Sequence, residues 1–406
     1  MARTAKSGYM KDNRGRRLDE FPVAGLADRS APVNLAILGD SLANYGEGVA
    51  TYIEILSNQR LRFTDIDGAG KRVYSYPGQT SGIVRTHLAD VTELANKPDA
   101  CIVQVGTNDA IAGWTIPATI AELETICQAL EEVGIRPIVS TIPPLGGSFQ
   151  HSAIRQPARA LNIAIRRSAQ KNKRFLIDPY LELVEPTTGS FKSAYDSGDN
   201  VHPNTAGVKA WAQLIITALG GIGTTDYNLL ERVNDGNSLI GGVRIANGNG
   251  VWGGSTNSGL GSEFGVTSPP AGYTPSLVAD ALAGINWQRF TVSGASAALT
   301  MFQASAAVVT PGQLIQAAVR VRTGQDIGGT SRFQVYMRTY GSGTDVNIPL
   351  TGAFGLTRQV DGLALATFKV PAGQNRAQLI VLVPPVNGTY DFAQPTIQNL
   401  TALGVA

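Results

Sequence analysis

Only three histidines occur in 406 residues, and one of them, His202, stands three residues after an aspartate in the run Asp199-Asn200-Val201-His202-Pro203-Asn204. At that spacing in a loop, the carboxylate can accept a hydrogen bond from the imidazole Nδ1–H. Such a bond fixes the tautomer and leaves Nε2 as a base. A base of this kind acts on a nucleophile, and Ser41 in Gly39-Asp40-Ser41 is the candidate, because an apolar run ends directly before it. Acyl transfer through a serine also needs uncharged donors for the oxyanion that forms. The backbone N–H groups of Ser41 and Gly78 and the side-chain amide of Asn108 answer that need. Glycine lets backbone approach substrate closely, and the asparagine amide donates without adding charge. Taken one at a time, the same stretches are ordinary turns, or helix entries with capping hydroxyls, as in Tyr76-Pro77-Gly78-Gln79-Thr80-Ser81-Gly82.

These residues need a frame that brings distant loops together. Short apolar runs at Val33–Leu38, Arg72–Tyr76, Cys101–Val105, Pro137–Thr141 and Phe175–Ile177 read as strands. Helical spacing separates them: Ile83, Val84, Leu88, Val91 and Leu94 predict one helix, and Ile120, Leu123, Cys127, Leu130 and Val133 another. A third helix over about 155–171 carries Arg155, Arg159, Arg166, Arg167 and Lys171 as a solvated basic face, and a fourth covers about 205–219. Alternating strands and helices imply an α/β fold, a mostly parallel sheet covered on both faces. Sites in such sheets lie beyond the carboxyl ends of the strands. Ser41 follows the first strand, Gly78 the second and Asn108 the third.

After about residue 224 the composition changes to Gly, Ser, Thr, Asn and Val with few charges. A stretch such as Asn234-Asp235-Gly236-Asn237-Ser238 sustains no apolar helix face. Strand patterns at Leu314–Val321, Phe333–Tyr340, Leu363–Phe368 and Ala377–Val383, bounded by turn residues, predict an all-β sandwich over 236–406. The division expected is a basic segment over 1–29, an α/β domain over 30–223, a linker over 224–235 and the sandwich.

Composition excludes several classes. A hydrophobic content of 43% with a net charge of +2 rules out a disordered chain. That charge also offers no clustered basic surface for nucleic acid. No run of about eighteen uncharged apolar residues spans a bilayer. Two cysteines build neither a disulfide framework nor an all-cysteine zinc site. No His, Asp or Cys spacing suits a metal, so neither metal nor cofactor is expected. His87 on the first helix is a packing or surface residue, and His151 sits in a polar loop. Cys101 and Cys127 are core thiols. Asp109 and Asp178 follow strands but lie far from His202 in sequence and are expected to be structural.

Gly39-Asp40-Ser41, Gly78, Gly106-Thr107-Asn108-Asp109 and Asp199-x-x-His202-Pro203, in that order, resemble the four signature blocks of the SGNH/GDSL hydrolases. The resemblance covers about residues 30–220. It implies a three-layer α/β/α flavodoxin-like domain and ester hydrolysis through an acyl-serine. It assigns Ser41, Asp199 and His202 as the triad and Ser41, Gly78 and Asn108 as the oxyanion hole. The proline before Gly78 departs from the family pattern and makes Gly82 its rival. No Gly-x-Ser-x-Gly elbow is present, which separates the chain from ordinary α/β-hydrolases.

The stretch from Ala366 through Pro371-Ala372-Gly373 to Phe392 resembles the end of family 4/9 carbohydrate-binding modules, jelly-roll-like sandwiches that hold sugars against aromatic rings. Trp252, Trp287, Tyr336 and Tyr340 are candidate stacking surfaces, with core packing as the plain alternative. Together these resemblances imply removal of O-acetyl groups from a polysaccharide. The alternatives are a lipase or thioesterase of the same family and a non-catalytic glycan-binding adhesin. The N-terminal segment has charges (Arg3, Lys6, Lys11, Arg14, Arg16, Arg17) but no apolar stretch after them, so no secretory signal is read and synthesis in the cytosol is expected. A glycan esterase acting outside the cell without a signal fits a phage tail or virion protein, with a homotrimer and other virion proteins as expected partners and the basic segment as an attachment point.

Overall fold

A computed structural model describes residues 32–44, 48–63, 72–146, 152–220, 248–261, 264–280, 285–303, 306–327, 331–352 and 355–402. The segment 1–29, the linker 224–235 and His151 lie outside them, as do the side chains of Arg155 and Trp252.

The first half runs β1 (Val33–Gly39), α1 (Val49–Leu56), β2 (Leu61–Arg62), β3 (Val73–Ser75), α2 (Ser81–Arg85), α3 (Ala89–Thr92), β4 (Ala100–Gln104), α4 (Thr107–Ala112), α5 (Ile116–Glu132), β5 (Arg136–Ser140), α6 (Ser152–Lys171), β6 (Phe175–Ile177), α7 (Pro179–Leu183) and α8 (Thr205–Ala218). All strand pairs are parallel, in the order β2-β1-β4-β5-β6, with β3 also on β1. The pleat sends alternate residues to opposite faces. Leu35, Ile37, Ile102 and Ile138 join Tyr52, Ile53, Trp211 and Ile215 of α1 and α8. Ala36, Leu38, Val103 and Val139 join Val84, Leu123, Ile126 and Leu161 of α2, α5 and α6. The result is a parallel sheet between two helical layers. The chain leaves β1 toward β3 on one side and β4 on the other, which opens a crevice at their carboxyl ends.

Two local expectations need correction. The single helix over 83–94 is two short helices, α2 and α3, because the chain between them turns with i→i+3 bonds such as His87 N–H to Val84 O at 3.0 Å. The Thr86 hydroxyl donates to Ile83 O at 2.7 Å, and the His87 ring stacks on Tyr76 with centroids 3.9 Å apart. His87 is thus a packing residue, though not in mid-helix. The second correction is an omission: α1, with nearly every residue buried, shows no amphipathic stripe.

The second half contains β7 (Gly248–Trp252), β8 (Ser255–Gly261), β9 (Phe264–Val266), β10 (Tyr273–Asp280), β11 (Ile285–Val292), β12 (Leu299–Gln303) and β13 (Ala307–Val308). It continues with β14 (Leu314–Thr323), β15 (Gln334–Gly341), β16 (Val346–Pro349), β17 (Asp361–Lys369), β18 (Gln374–Val383) and β19 (Gly388–Asn399). One sheet has the order β10-β11-β19-β14-β17, the other β16-β15-β18-β12-β9-β7-β8 with β13 beside β18. Pairing is antiparallel except between β7 and β9. The sheets close on an apolar core in which Phe264 of one meets Phe392 of the other edge-on at 5.2 Å. Trp287 does not serve as an open stacking surface. It is 1% exposed, with the guanidinium groups of Arg320 and Arg322 at 4.7 and 4.3 Å from its ring. Tyr336 and Tyr340 are half-buried on one face of β15.

The two halves share a core. The apolar cluster that includes α1 and α8 continues into the sandwich. β17 lies along α1, the Gln59 side chain donates to Leu363 O at 2.6 Å, and Lys209 Nζ donates to Gln359 O. A Cβ on Gly362 would fall 2.0 Å from Ile55 O, so only glycine permits this approach. Among the described residues no helix is long and apolar enough to cross a membrane.

Candidate active site

β1 and β4 converge at Gly39, where an added Cβ would lie 2.2 Å from Gln104 O. The chain then turns through Asp40 into a 3-10 turn, Ser41–Asn44. Asp40 anchors that turn. Its Oδ1 accepts the Leu42 N–H at 3.0 Å, its carbonyl accepts the Ser75 hydroxyl at 2.9 Å, and its N–H reaches Gln104 O at 3.3 Å. Ser41 is thereby fixed to three neighbouring strands. Burial pushes the Asp40 carboxyl up to about 7, against the Leu42 N–H and Thr107, with the nearby Asp109 adding to the rise.

From the far end of the domain, the loop before α8 brings His202 to the same place. Ser41 Oγ and His202 Nε2 are 2.7 Å apart, and His202 Nδ1 is 2.7 Å from Asp199 Oδ2. The tautomer that satisfies both contacts carries its proton on Nδ1 and presents a bare Nε2 to the serine. Partial burial alone would raise the Asp199 carboxyl. The N–H groups of His202 and Val201, at 2.8 and 2.9 Å from Oδ1, and the imidazole outweigh burial and hold it at about 2. Asp199 therefore remains ionised across ordinary pH.

Tyr76 N–H donates to Gly39 O at 2.9 Å, which sets the following Pro77-Gly78 turn beside Ser41. Gly78 has φ +74°, and no described atom lies within 4 Å of where its Cβ would be. The rival Gly82 sits in α2 with the Trp114 ring 3.0 Å from its would-be Cβ. Of the two, Gly78 faces open space. Asn108, in the first turn of α4, donates one amide hydrogen to Gln79 O at 3.0 Å. Among the described residues its second hydrogen has no partner, and an amide nitrogen carries two.

The remaining sequence candidates fall elsewhere. Asp109 is fully buried and accepts from the Ser81 N–H at 2.8 Å, from the Ser81 hydroxyl and from Thr119 at 3.3 Å. Asp178 binds Arg166 at 2.6 Å and Thr141 at 2.8 Å. Both carboxylates are engaged by these partners. Cys101 and Cys127 are buried, and burial pushes both thiols up, so they are unreactive. Arg159, Arg167 and Lys171 are exposed along α6. No group of three or more His, Cys, Asp or Glu among the described residues is placed to hold a metal ion. Sequence reasoning missed Gln79, Ser81, Gly146 and Asn200. Asn200 alone left a signal, since asparagine is one of the few residues that tolerate positive φ.

An aspartate, an imidazole and a serine hydroxyl in hydrogen-bonded series form an arrangement for serine-based acyl transfer. Residues 37–210 match the model of the GDSL-like lipase/acylhydrolase family. This GDSL-like domain contains Ser41, Gly78, Asn108, Asp199 and His202. The structure is similar to a GDSL-like lipase from Bacteroides thetaiotaomicron, with 19% identity and a TM-score of 0.38 over 49% of this chain and 93% of that one. It is likewise similar to an acetylxylan esterase from Geobacillus stearothermophilus, with 16% identity and a TM-score of 0.39 over 48% of this chain and 97% of that one. A comparison with curated protein sequences finds no match.

Proposed function

We propose that the protein is a serine esterase that removes short acyl groups, acetyl above all, from a polysaccharide. The observation that carries the catalytic reading is the unbroken series Asp199–His202–Ser41 with both links at 2.7 Å. Ser41 Oγ attacks the ester carbonyl carbon while its proton passes to His202 Nε2. The oxyanion accepts from the N–H groups of Ser41, Gly78 and Asn108, and ionised Asp199 stabilises the imidazolium. Collapse breaks the bond to the alcohol, which leaves with the Nε2 proton. Water then attacks the acyl-serine, giving its own proton to Nε2. The acid departs and Ser41 recovers its proton. The reaction needs the neutral form of the His202 ring, since only that form accepts the serine proton. The polysaccharide part of the proposal rests on the sandwich and its resemblance to carbohydrate-binding modules.

Aryl acetate hydrolysis by wild type and Ser41→Ala, with a fluorophosphonate label located by mass spectrometry, tests the proposal. Activity should vanish in the variant and the label should map to Ser41. A wild type that neither hydrolyses nor labels would overturn it. Among aryl esters the rate should peak at acetyl; a rate that climbs to octanoyl assigns the enzyme to lipids instead.

A further inference from the structure

We propose that Asn200 is a positioning residue for the triad, acting through its backbone and its contact with Gly146. This rests on the serine-esterase reading of Ser41, Asp199 and His202. The Asp199 carboxylate performs two tasks. Oδ1 accepts the N–H groups of Val201 and His202, and Oδ2 accepts the imidazole Nδ1–H. The residue between the carboxylate and the N–H groups it caps sets the direction in which the chain leaves this turn. Asn200 does so with φ +68°, in the left-handed region that most side chains resist.

The bend is also tied down. Gly146 N–H donates to Asn200 O at 2.7 Å. A Cβ on Gly146 would stand 3.0 Å from Asn200 Oδ1 and 3.4 Å from its Cβ, so the two residues are in contact. Gly146 ends the buried segment Thr141–Gly146 that follows β5. Buried Asn162 of α6 holds this segment by accepting the Ile142 N–H at 2.9 Å and donating to Ile142 O at 3.0 Å. A continuous path therefore runs from the sheet that carries Ser41, through β5 and Gly146, to the turn that carries His202. Its effect is to hold Nε2 at the serine.

The test compares Asn200→Gly, which keeps the left-handed bend, with Asn200→Val, which opposes it, and with Gly146→Ala, which presses on Asn200, all in the full chain. Asn200→Gly should stay within about twofold of wild type in kcat for an aryl acetate. Asn200→Val should lose about 10²-fold in kcat with KM nearly unchanged, because a displacement of about 1 Å costs that much. Gly146→Ala should fall between them. A second readout needs no turnover: the low-field NMR signal of the Nδ1–H to Asp199 bond, assigned by its loss in His202→Ala, should persist in Asn200→Gly and vanish in Asn200→Val. Asn200→Val with wild-type kcat and an intact signal overturns the proposal, and so does Asn200→Gly failing as badly as Asn200→Val. If Asn200→Val does not fold, Gly146→Ala with unchanged kcat and signal overturns it. If wild type lacks activity and labelling, the esterase reading fails by itself, and the NMR comparison still decides the positioning role.

Discussion

Asn108 shows how much one side chain can carry at this site. Its amide uses one hydrogen to hold Gln79, and under the proposed mechanism the other donates to the substrate oxyanion. Asn108→Ala should lower kcat by about 10²–10³ and change KM little, as measured by steady-state hydrolysis of an aryl acetate. Equal losses in binding and turnover would instead make Asn108 a general binding residue. Asp40, one residue before Ser41, gives a pH-dependent signature. An unfolded aspartate ionises near 3.8, whereas the folded carboxyl does so near about 7 because burial disfavours its charge. The folded state retains the proton longer, so the stability this group contributes is complete below about pH 4 and declines as pH rises toward 7. An amide at this position cannot ionise; the melting temperatures of Asp40→Asn and wild type should therefore diverge from pH 4 to 8, the variant being higher at pH 8. A constant gap would reject this origin. The Ser41–His202–Asp199 contacts were legible because residue type and spacing suggest them. The Gly146 contact was not, since a long-range hydrogen bond leaves no trace in residue types, and the Asn200 bend left only the weak sign that asparagine tolerates positive φ.

Among the helices, one with a single buried face was legible and one buried on both sides was not. α5 is apolar at 3.6-residue spacing and folds as expected. α1 is packed between the parallel sheet and β17, so even Glu54 is buried, accepting the Phe63 N–H at 2.8 Å. A helix covered on both sides has no stripe to detect. The α2–α3 break fails for the opposite reason: the apolar spacing continues through it, but Ile83 is 45% exposed and the Thr86 hydroxyl competes for the helix carbonyl. The contact of α1 with β17 joins the two halves. Gly362→Val should cost about 1–3 kcal/mol by overpacking and split a single calorimetric transition into two. An unchanged single transition would mean that the backbone approach at Gly362 does not hold the halves together.

At the scale of the whole molecule, the sandwich class was readable from turn residues and alternating strands, but its attachment was not. Nothing local in the sequence announces that Gly362 meets Ile55 or that Gln59 reaches Leu363. If the 42.7 kDa chain assembles as a virion homotrimer, sedimentation of the full protein should give about three times that mass, and a strict monomer would remove the trimer. The shared core has a consequence for how such proteins can diversify. A module on a flexible tether can be exchanged between enzymes at the level of the gene. Here the apolar outer face of α1 is matched to one particular strand, so a transplanted hydrolase would arrive with that face uncovered and prone to aggregate. New combinations would have to inherit α1 and β17 together, and the two halves should change in step over evolutionary time.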